Sequence, residues 1–403
     1  MARIRLSYGA SEPLDLEIES QCVVAHAGGP AGVSDEAAFD LVASVIATPA
    51  TGPPLASHLV PGDRVVIAIS GEVPQAAAVV AAVRGCLETA GVDPADVTVL
   101  CGGPLEIESG VVLQAGGCSV PGGEPFEGGR ESATSYLAAD EAGRPLYLAR
   151  ALVDAHVVVT VGEWGWDAAL GGRSVEGELW PAFSRPACRR ELLVSLARKG
   201  RGALADWRTS MQHVAWQLGV CASLRLVRGA AGSLHTACFG LPEDAVHRAR
   251  DAATAWSPEI PRPADLAVVS LSENGVGLGR LTRGVAAAAR VTRPGGTICV
   301  ASRLSAAPGP VFLRWRQAAP LDRLVHEAVG TGDPSLVADA LQTRLFARAL
   351  DDRRLVLLSD LDEATVEDLE FGYAAGPEAV ERLARRAGSV VVLDEADRML
   401  PRL

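Results

Sequence analysis

The segment from residue 64 to residue 101 contains a strand, a helix and a second strand, and this order restricts the fold more than any other feature. Residues 64–70 and 97–101 are runs of β-branched and aliphatic residues, which are typical of buried strands. Residues 75–91 between them are rich in alanine and valine and end at Gly91, which predicts a helix with a glycine cap. Strands joined through a helix pair in parallel with a right-handed crossover. The segment therefore predicts an α/β fold.

The second half of the chain repeats this alternation. Strands are predicted at residues 265–271, 296–302 and 354–360, with helices between them, so both halves are expected to be α/β. A last strand at residues 389–394 closes the same sheet or packs back on the first half of the chain. At the other end of the sequence, the patterns predict a hairpin at residues 1–19 and a loop at residues 21–32.

A proline-rich segment separates the two halves. Residues 257–263 contain three prolines in seven residues, a density that neither a helix nor a central strand tolerates. We expect an N-terminal α/β domain of residues 1–256, a linker at residues 257–263 and a C-terminal α/β domain of residues 264–403. The linker is expected to act as a hinge around a bound ligand if the interface between the domains is modest.

Composition limits the class of partner. The 403 residues carry a formal net charge of −12, which argues against nucleic-acid and membrane-surface partners. No apolar run is long enough to span a bilayer and no charged-then-apolar leader opens the chain, so a cytoplasmic protein is expected. The eight cysteines lack zinc-site spacing and are expected to be reduced thiols. The seven histidines are dispersed, and Lys199 is the one lysine.

A candidate ligand-binding stretch occupies residues 157–181. A β-branched strand at its start breaks at Gly162, and a turn made of two glycines, an arginine and a serine follows. A buried strand that ends in a glycine-rich turn is where α/β proteins place ligands. The acids Glu163 and Asp167 could act as an acid and base pair only if the segment were helical, which its glycines disfavour. The alternative is a strand, a loop and a helix start without a ligand.

A second glycine-rich loop, which includes Gly275, Gly277 and Gly279, follows a predicted strand and opens a predicted helix. That context suits phosphate binding at a helix N-terminus. The loop departs from the dinucleotide-binding fingerprint because its third glycine position is Arg280. Arg280 and Arg283 lie one helical turn apart, so they could jointly hold a carboxylate or phosphate. The alternatives are a tight turn and two solvated surface charges.

The order of these segments resembles the nickel-dependent lactate racemase family over nearly the whole chain. The segments that carry the resemblance are LSYG at 6–9, VVIAISGEVPQ at 65–75, VTVLCGG at 97–103, ALVDAHVVVTVGEWGWDAALGGRS at 151–174, GVAAAARVTRPGGTICVA at 284–301 and LFARALDDRRLVLLSDL at 345–361. The most specific are Gly171-Gly172-Arg173, the RPGGT turn at 293–297 and the Phe-Ala-Arg helix at 346–348. The resemblance implies two α/β domains with a cleft between them.

The resemblance also implies a cofactor and a reaction. That family uses a nickel pincer nucleotide, tethered through a lysine and ligated by a histidine, to racemise a 2-hydroxy acid by hydride transfer, with two histidines as acid and base. Here the tether position after Gly171, Gly172 and Arg173 is Ser174, and the position of one acid/base histidine is Trp164. A serine hydroxyl cannot form the amide-type link that a lysine makes. An indole is a hydrogen-bond donor only.

Other family positions also depart from the pattern. The second acid/base histidine falls on Pro104 or Leu105, and the nickel-ligand histidine falls near Arg189 and Arg190. Positive charge persists at Arg283, where the family has a substrate-side lysine. The predicted site residues are Glu72, Glu163, Trp164 and Asp167 as candidate catalytic positions, Gly171, Gly172, Arg173 and Ser174 as the altered cofactor-binding segment, and Arg280 and Arg283 as substrate-binding cations.

Three hypotheses remain open from the sequence. The first is a lactate-racemase-like protein without catalysis, or with a new role, that binds a small anion between its domains. The second is a divergent, active 2-hydroxy-acid racemase or epimerase, which would be an isomerase. The third is a nucleotide-binding oxidoreductase that uses the loop around Gly275. No cofactor is assigned, because the anchors of the family's nickel pincer nucleotide are replaced.

Overall fold

The computed structural model describes residues 1–9, 13–103, 120–140, 143–175, 179–272 and 277–403. Its strands are β1 (Ala2–Leu6), β2 (Leu14–Ile18), β3 (Val23–Ala27), β4 (Val65–Ser70), β5 (Val97–Gly102), β6 (Glu124–Pro125), β7 (Thr134–Ala139), β8 (Pro145–Ala149), β9 (Val157–Glu163), β10 (Trp166–Asp167), β11 (Gly172–Arg173), β12 (Ala222–Arg228), β13 (Leu234–Gly240), β14 (Ala264–Ser270), β15 (Thr292–Ala301), β16 (Arg354–Leu358), β17 (Gly372–Tyr373) and β18 (Val390–Leu393).

Helices connect most of these strands. They are α1 (Asp35–Ala47), α2 (Ala76–Thr89), α3 (Arg150–Val153), α4 (Leu179–Ala182), α5 (Pro186–Lys199), α6 (Gly202–Gln217), α7 (Pro242–Ala252), α8 (Leu278–Ala289), α9 (Pro310–Arg316), α10 (Leu321–Thr331), α11 (Pro334–Leu350), α12 (Glu363–Asp368) and α13 (Pro377–Arg386). A short 3-10 turn, Ala396–Arg398, follows β18. The predicted α/β class is confirmed.

The first sheet has the strand order β13-β12-β9-β4-β5-β6. Its neighbours are parallel except for β12 and β13, which are antiparallel. Alternate residues of β4 face different cores. Val65 and Ile67 pack in a cluster with α1 and α2, whereas Val66 and Ala68 pack in a cluster that includes α6. The sheet is therefore covered on both faces, as a mainly parallel sheet must be.

The second sheet has the strand order β17-β16-β15-β14-β18-β3, and all its neighbours are parallel. One face packs against α8, and the other packs against α13 and the β1–β2 hairpin. The strand β3, from the start of the chain, pairs with β18, from its end. The loop predicted at residues 21–32 was therefore wrong, because part of it forms β3. Strand pairing groups β3, and side-chain packing groups the β1–β2 hairpin, with the second half of the chain.

The two sheets share apolar cores. Trp164, Ala168 and Val227 from the first half belong to the same buried cluster as β14, β15 and α8. A second cluster joins α5 and α6 to α9, α10 and α11. The two halves are therefore in contact through at least two buried clusters. The domain division at residues 257–263 and the role of this segment as a hinge remain predictions.

The linker runs beside the C-terminal residues. Ser257 Oγ donates a hydrogen bond of 2.5 Å to the carbonyl of Leu400. The Ile260 amide donates to the Arg402 carbonyl at 2.8 Å, and the Arg402 amide donates to the Pro258 carbonyl at 2.9 Å. These contacts fix the proline-rich segment against the end of the chain.

The state of one cysteine differs from the prediction. Cys101, at the end of β5, is in a disulfide, whereas six other cysteines of the described residues carry thiols. Burial raises the pKa of the Cys299 thiol to about 12, so this thiol stays protonated and unreactive at neutral pH. Within the described ranges, no helix is long and apolar enough to cross a bilayer.

Candidate functional site

Each sheet has a point where the strand order reverses, and both points face one cleft. In the first sheet, β4 lies between β5 and β9, so the connections leave it in opposite directions. In the second sheet, β14 lies between β15 and β18 in the same way. Ligands of open α/β sheets bind outside the carboxyl ends of the strands at such a point. The fold therefore directs two binding crevices into a common space.

Together with the space where it opens to solvent, the cleft at this position has an empty volume of about 660 Å³. Residues that follow the carboxyl ends of β4, β9, β12 and β18, together with the start of α8, form its wall. The described lining residues are Gly71, Glu72, Glu163, Trp164, Gly165, Trp166, Ser174, Arg228, Trp256, Arg280, Arg283, Asp397 and Arg398. This set contains four arginines and three carboxylates, so the cations exceed the acids by one among the described residues.

Glu163 ties the two halves together inside the cleft. Its Oε2 accepts hydrogen bonds from Nε and Nη2 of Arg228, at 2.9 and 2.7 Å. Its Oε1 accepts a hydrogen bond from Nη1 of Arg398 at 3.1 Å. All three side chains are buried, with exposed fractions of 14% or less. A carboxylate that accepts from two guanidinium groups is held in one orientation.

A second network fixes the arginine on α8. Asp397 accepts hydrogen bonds from the Ser272 amide at 2.8 Å and from the Ser272 hydroxyl at 2.6 Å. The Ser272 oxygen accepts in turn from Nη1 of Arg280 at 3.0 Å, and the same nitrogen lies 3.8 Å from Asp397. Because Ser272 lies two residues after the end of β14, the sheet positions the guanidinium group of Arg280.

A buried glutamate crosses between the halves behind the cleft. Glu395, with φ of 58°, lies in the left-handed region, and its Oε1 accepts from the Ala231 amide at 2.7 Å. Burial raises the pKa of the Glu395 carboxyl, and the neighbouring Asp397 and Asp394 add to this, against the opposing charge of Arg398. Desolvation disfavours the charged form of an acid.

Three indoles complete the wall. The rings of Trp164 and Trp166 meet edge to face, with centroids 4.8 Å apart and planes at 86°. Nε1 of Trp166 donates to the Ala253 carbonyl at 2.7 Å, and Nε1 of Trp256 donates to the Arg228 carbonyl at 2.6 Å. Those two indole N–H groups are therefore used within the protein, and the rings present carbon atoms to the cleft.

The structure brings together six of the predicted site residues and leaves four outside the lining. Those in the lining are Glu72, Glu163, Trp164, Ser174, Arg280 and Arg283. Asp167, Gly171, Gly172 and Arg173 instead form the hairpin of β10 and β11. The side chain of Asp167 accepts a hydrogen bond from the Leu170 amide at 2.9 Å, a local turn contact. Glu163 and Asp167 do not share a helix, because Glu163 ends β9 and Asp167 lies in β10.

Two predicted regions lie outside the described residues. Gly275 of the second glycine-rich loop belongs to residues 273–276, and Pro104 and Leu105 belong to residues 104–119. Gly277 is described as the N-cap of α8, without a side-chain capping bond. The nucleotide-binding interpretation of that loop therefore remains a prediction.

Sequence reasoning missed several members of the lining. Arg228, Trp256, Asp397 and Arg398 occur in no motif that the sequence displays. Arg228 is 65 positions from Glu163, and Arg398 is 235 positions from it. The one available signal was topological, because Arg228 ends β12 and Arg398 lies shortly after β18. Residues beyond the carboxyl ends of parallel strands gather at one edge of a sheet.

The lining differs from what the nickel pincer nucleotide requires. Ser174 occupies the cleft at the position where the resemblance places a lysine, and Lys199 lies exposed at the end of α5. None of the described lining residues is a histidine. In the described part of the chain, no group of three or more His, Cys, Asp or Glu is placed to hold a metal ion. The guanidinium groups would repel a metal cation, so this donor set does not fit the tethered group.

Comparison with known proteins gives the fold. No protein-family model and no curated protein matches the sequence. The structure is similar to that of the lactate racemase apoprotein from Thermoanaerobacterium thermosaccharolyticum, with a TM-score of 0.73 and 14% identity over all of both chains. It is also similar to a structural-genomics protein from Thermotoga maritima, with a TM-score of 0.55 and 11% identity over 92% of this chain and 98% of that one. The predicted fold is thus confirmed.

Proposed function

We propose that this chain, which has the lactate racemase fold, binds a small carboxylate-bearing anion in the cleft and does not catalyse pincer-dependent racemisation. The observation that carries the proposal is the convergence of four arginines on one cleft: Arg228 from β12, Arg280 and Arg283 from α8, and Arg398 from the turn after β18. Arginine binds carboxylate through two parallel N–H donors, which favours it over lysine where a planar anion must be oriented.

The electrostatic balance supports an anion rather than a cation. Glu163 is engaged by Arg228 and Arg398, and Asp397 is engaged by Ser272 near Arg280. The described lining thus holds four cations and three acids. In a cleft between low-dielectric walls, several guanidinium groups together attract an anionic ligand.

The available groups do not support proton or hydride transfer at an α-carbon. Both oxygens of Glu163 accept from guanidinium groups, and the indole of Trp164 cannot accept a proton. Ser174 replaces the lysine that the resemblance implies. We infer that a lactate-racemase-like ancestor lost its tether and histidines and that the site was retained for anion binding. Among the described lining residues, Glu72 is the exposed acid, and it is the one that an active racemase would use.

Isothermal titration calorimetry with paired ligands tests anion binding. Each 2-hydroxy acid in a panel is compared with its neutral amide, which has nearly the same shape. We expect at least one acid to bind and its amide to bind at least about tenfold more weakly, which corresponds to about 1.4 kcal/mol. Equal binding of acid and amide would contradict the proposal.

A matched pair of variants locates the site. Arg283→Gln removes a cleft cation and should weaken acid binding, whereas Arg323→Gln removes an exposed cation of α10 whose side chain is 73% exposed and should not. Bound ligand also stabilises the folded state, by about 2.7 kcal/mol at one hundred times the Kd, so a thermal-shift measurement provides an independent reading.

The absence of pincer chemistry is tested separately. The protein is co-produced with enzymes that make the nickel pincer nucleotide, and the purified protein is analysed for nickel and for racemisation of 2-hydroxy acids. We expect nickel well below one equivalent and no racemisation. Stoichiometric nickel together with racemisation would overturn the non-catalytic part of the proposal and favour the divergent isomerase.

A further inference from the structure

We infer that Glu395 is a positioning residue for the cleft arginine Arg398, and that an anion binds in the cleft together with a proton that the Glu395 carboxylate takes up. This inference rests on the proposed anion site and adds a dependence of its affinity on pH. It follows from the position of Arg398 between two different carboxylates.

Arg398 lies between one carboxylate in the cleft wall and one behind it. Its Nη1 donates to Glu163 at 3.1 Å, and its Nε lies 4.0 Å from Oε2 of Glu395. Arg398 and Glu163 belong to the described lining of the cleft, whereas Glu395 does not. The side chains of Arg398 and Glu395 are 14% and 3% exposed, so their interaction is weakly screened. The charge on Glu395 therefore acts on the cleft through Arg398.

One oxygen of Glu395 is unsatisfied. Its Oε1 accepts from the Ala231 amide at 2.7 Å, but no described group donates a hydrogen bond to its Oε2. A buried carboxylate with a single hydrogen bond is poorly compensated in its charged form. Burial raises the pKa of the Glu395 carboxyl, opposed by the Ala231 hydrogen bond and by Arg398. A proton on Oε2 removes the buried charge without breaking the bond to Ala231.

Three other acids of this region accept hydrogen bonds on both carboxylate oxygens. The acids and their donors are Glu163 with Arg228 and Arg398, Asp397 with the amide and hydroxyl of Ser272, and Asp394 with the amide and hydroxyl of Ser7. Hydrogen bonds to the charged form of an acid favour that form. Negative charge added to the cleft should therefore protonate Glu395 before these three acids.

Charged groups approach Glu395 from several elements. The turn Ala396–Arg398 packs against β10, β14 and α8, and contacts from Arg398 and Glu395 reach β9 and the uncharged turn Ala230–Gly232 beyond β12. The charged side chains on these strands and this helix are Glu163, Asp167, Arg225, Arg228, Asp265, Arg280 and Arg283. Arg398 is the cation whose charge opposes the raised pKa of Glu395, and Asp397 and Asp394 add to that rise. Arg398 is therefore the link between Glu395 and the cleft.

The coupling has a definite sign because the ligand and Glu395 compete for one cation. A carboxylate bound by Arg398 disfavours the ionised form of Glu395 and raises its pKa further in the complex. By linkage, protonation of Glu395 strengthens anion binding by the same factor. Affinity is therefore expected to be highest below the pKa of Glu395 in the free protein, which lies above the ordinary value of 4.5. It should fall as the pH rises from that pKa to the higher pKa of the complex.

Calorimetry in two buffers of different ionisation enthalpy counts the protons. Lactate and the other 2-hydroxy acids of the panel are the probes, and neither buffer contains a carboxylate or phosphate. The titrations run between about pH 5 and about pH 8, where a carboxyl with a raised pKa titrates. We expect uptake of about 0.5 to 1 proton at the steepest part of the profile, where affinity falls roughly three- to tenfold per pH unit. An acid that binds without proton uptake anywhere in this range would overturn the inference.

Glu395→Gln, which resembles the protonated acid, assigns the proton. This variant should take up no proton, and at high pH it should bind the acid about as tightly as the parent protein does at low pH. Glu395→Asp keeps a titratable carboxyl and should retain pH dependence, which also covers a folding defect in the glutamine variant. A purely structural role for Glu395 would change the Tm of both variants but not the proton count. Uptake that persists in Glu395→Gln contradicts the inference.

Glu72→Gln tests the exposed acid of the described lining as the competing proton acceptor. Loss of uptake in this variant, with uptake retained in Glu395→Gln, would assign the proton to Glu72 instead. The control is Glu327→Gln on α10, outside the described lining, which should leave the proton count unchanged.

The comparison of each acid with its amide separates this inference from the anion proposal. Equal binding of acid and amide would show that the anion site is wrong, and the inference would fall with it. Preferential binding of the acid without proton uptake would leave the anion site in place and remove only the role of Glu395. The two failures therefore have different signatures in one set of titrations.

Discussion

Glu163, which ends a strand of the first sheet, accepts a hydrogen bond of 3.1 Å from Arg398, which follows the last strand of the second sheet. The same carboxylate is bound by Arg228 from its own sheet. One acid therefore neutralises cations from both halves of the protein, and it does so inside the proposed ligand cleft. Its removal should affect stability and binding in opposite directions.

Glu163→Gln is expected to destabilise the protein by about 3 kcal/mol, because two buried guanidinium groups lose their shared counter-charge. The same change should tighten binding of a carboxylate ligand, since that ligand then competes with no internal acid for Arg228 and Arg398. Urea unfolding measures the first effect and calorimetry the second. The control is Glu327→Gln, a partly exposed acid paired with Arg323 and Arg314, which should lower stability far less than Glu163→Gln and leave ligand binding unchanged. Weaker ligand binding by Glu163→Gln would show that Glu163 orients the ligand instead.

Glu395→Gln should make the protein more stable at neutral pH. Burial raises the pKa of the folded-state carboxyl above its ordinary value of 4.5. Between pH 4.5 and the folded-state pKa, the folded protein therefore binds more protons than the unfolded protein. The stability that this group contributes is fully present below pH 4.5 and is lost as the pH rises through the folded-state pKa. The glutamine keeps an acceptor for the Ala231 amide and carries no charge. The higher stability of the variant relative to the parent protein should diminish as the pH falls toward 4.5. Measuring the Tm of both proteins as a function of pH tests this.

Asp362→Asn tests an acid whose pKa is lowered, whereas that of Glu395 is raised. Hydrogen bonds from the Thr365 amide and hydroxyl lower the pKa of the Asp362 carboxyl below its ordinary value of 3.8, so this acid stabilises the fold above that value. The asparagine variant should lose stability at neutral pH, and the loss should disappear as the pH falls through the folded pKa. If both variants shift Tm in the same direction at pH 7, the assigned cause of one shift is wrong.

Gly284→Ala should destabilise the protein by about 1 to 3 kcal/mol through overpacking. A Cβ at this position in α8 would lie 2.3 Å from Cδ2 of Leu271, a buried side chain after β14. Either the buried Leu271 side chain or α8 must shift to relieve the contact, and α8 carries Arg280 and Arg283, so carboxylate binding should weaken as well. Chemical denaturation and calorimetry report the two effects.

Gly330→Ala is the matched control for that change. Gly330 also lies in a helix, α10, but a Cβ there has no neighbour within 4 Å. Alanine has the higher helix propensity, so this variant should gain about 0.5 to 1 kcal/mol. A gain at both glycines would mean that α8 is not packed as closely against Leu271 as the structure describes.

Local patterns predicted most of the regular elements. The β-branched runs at residues 64–70 and 97–101 became β4 and β5, and Ser34 caps α1 by accepting a hydrogen bond from the Ala37 amide. These elements depend on periodicity and capping, which are local in sequence. The strand β3 was missed because its residues are only partly buried and it pairs with a strand 367 positions later, from Val23 to Val390.

The candidate site was predicted only where it lies on glycine-rich turns and the first turn of a helix. Trp164, Ser174, Arg280 and Arg283 were found in this way. Arg228 and Arg398 were not, since their role depends on how two sheets face each other. Asp167 was assigned to the site by its spacing from Glu163, but the chain turns between them and the Leu170 amide occupies its carboxylate. Sequence spacing gives proximity only within a regular element.

The pairing of β3 with β18 has a consequence for the order of synthesis. In the described part of the chain, Val23–Ala27 is an edge strand whose one ladder partner is Val390–Leu393. The first strand of this sheet to leave the ribosome must therefore wait for nearly the last one. Until then its backbone donors and acceptors are open to other strands, a state that promotes aggregation. Emergence of Val390–Leu393, rather than emergence of the first half of the chain, completes the second sheet.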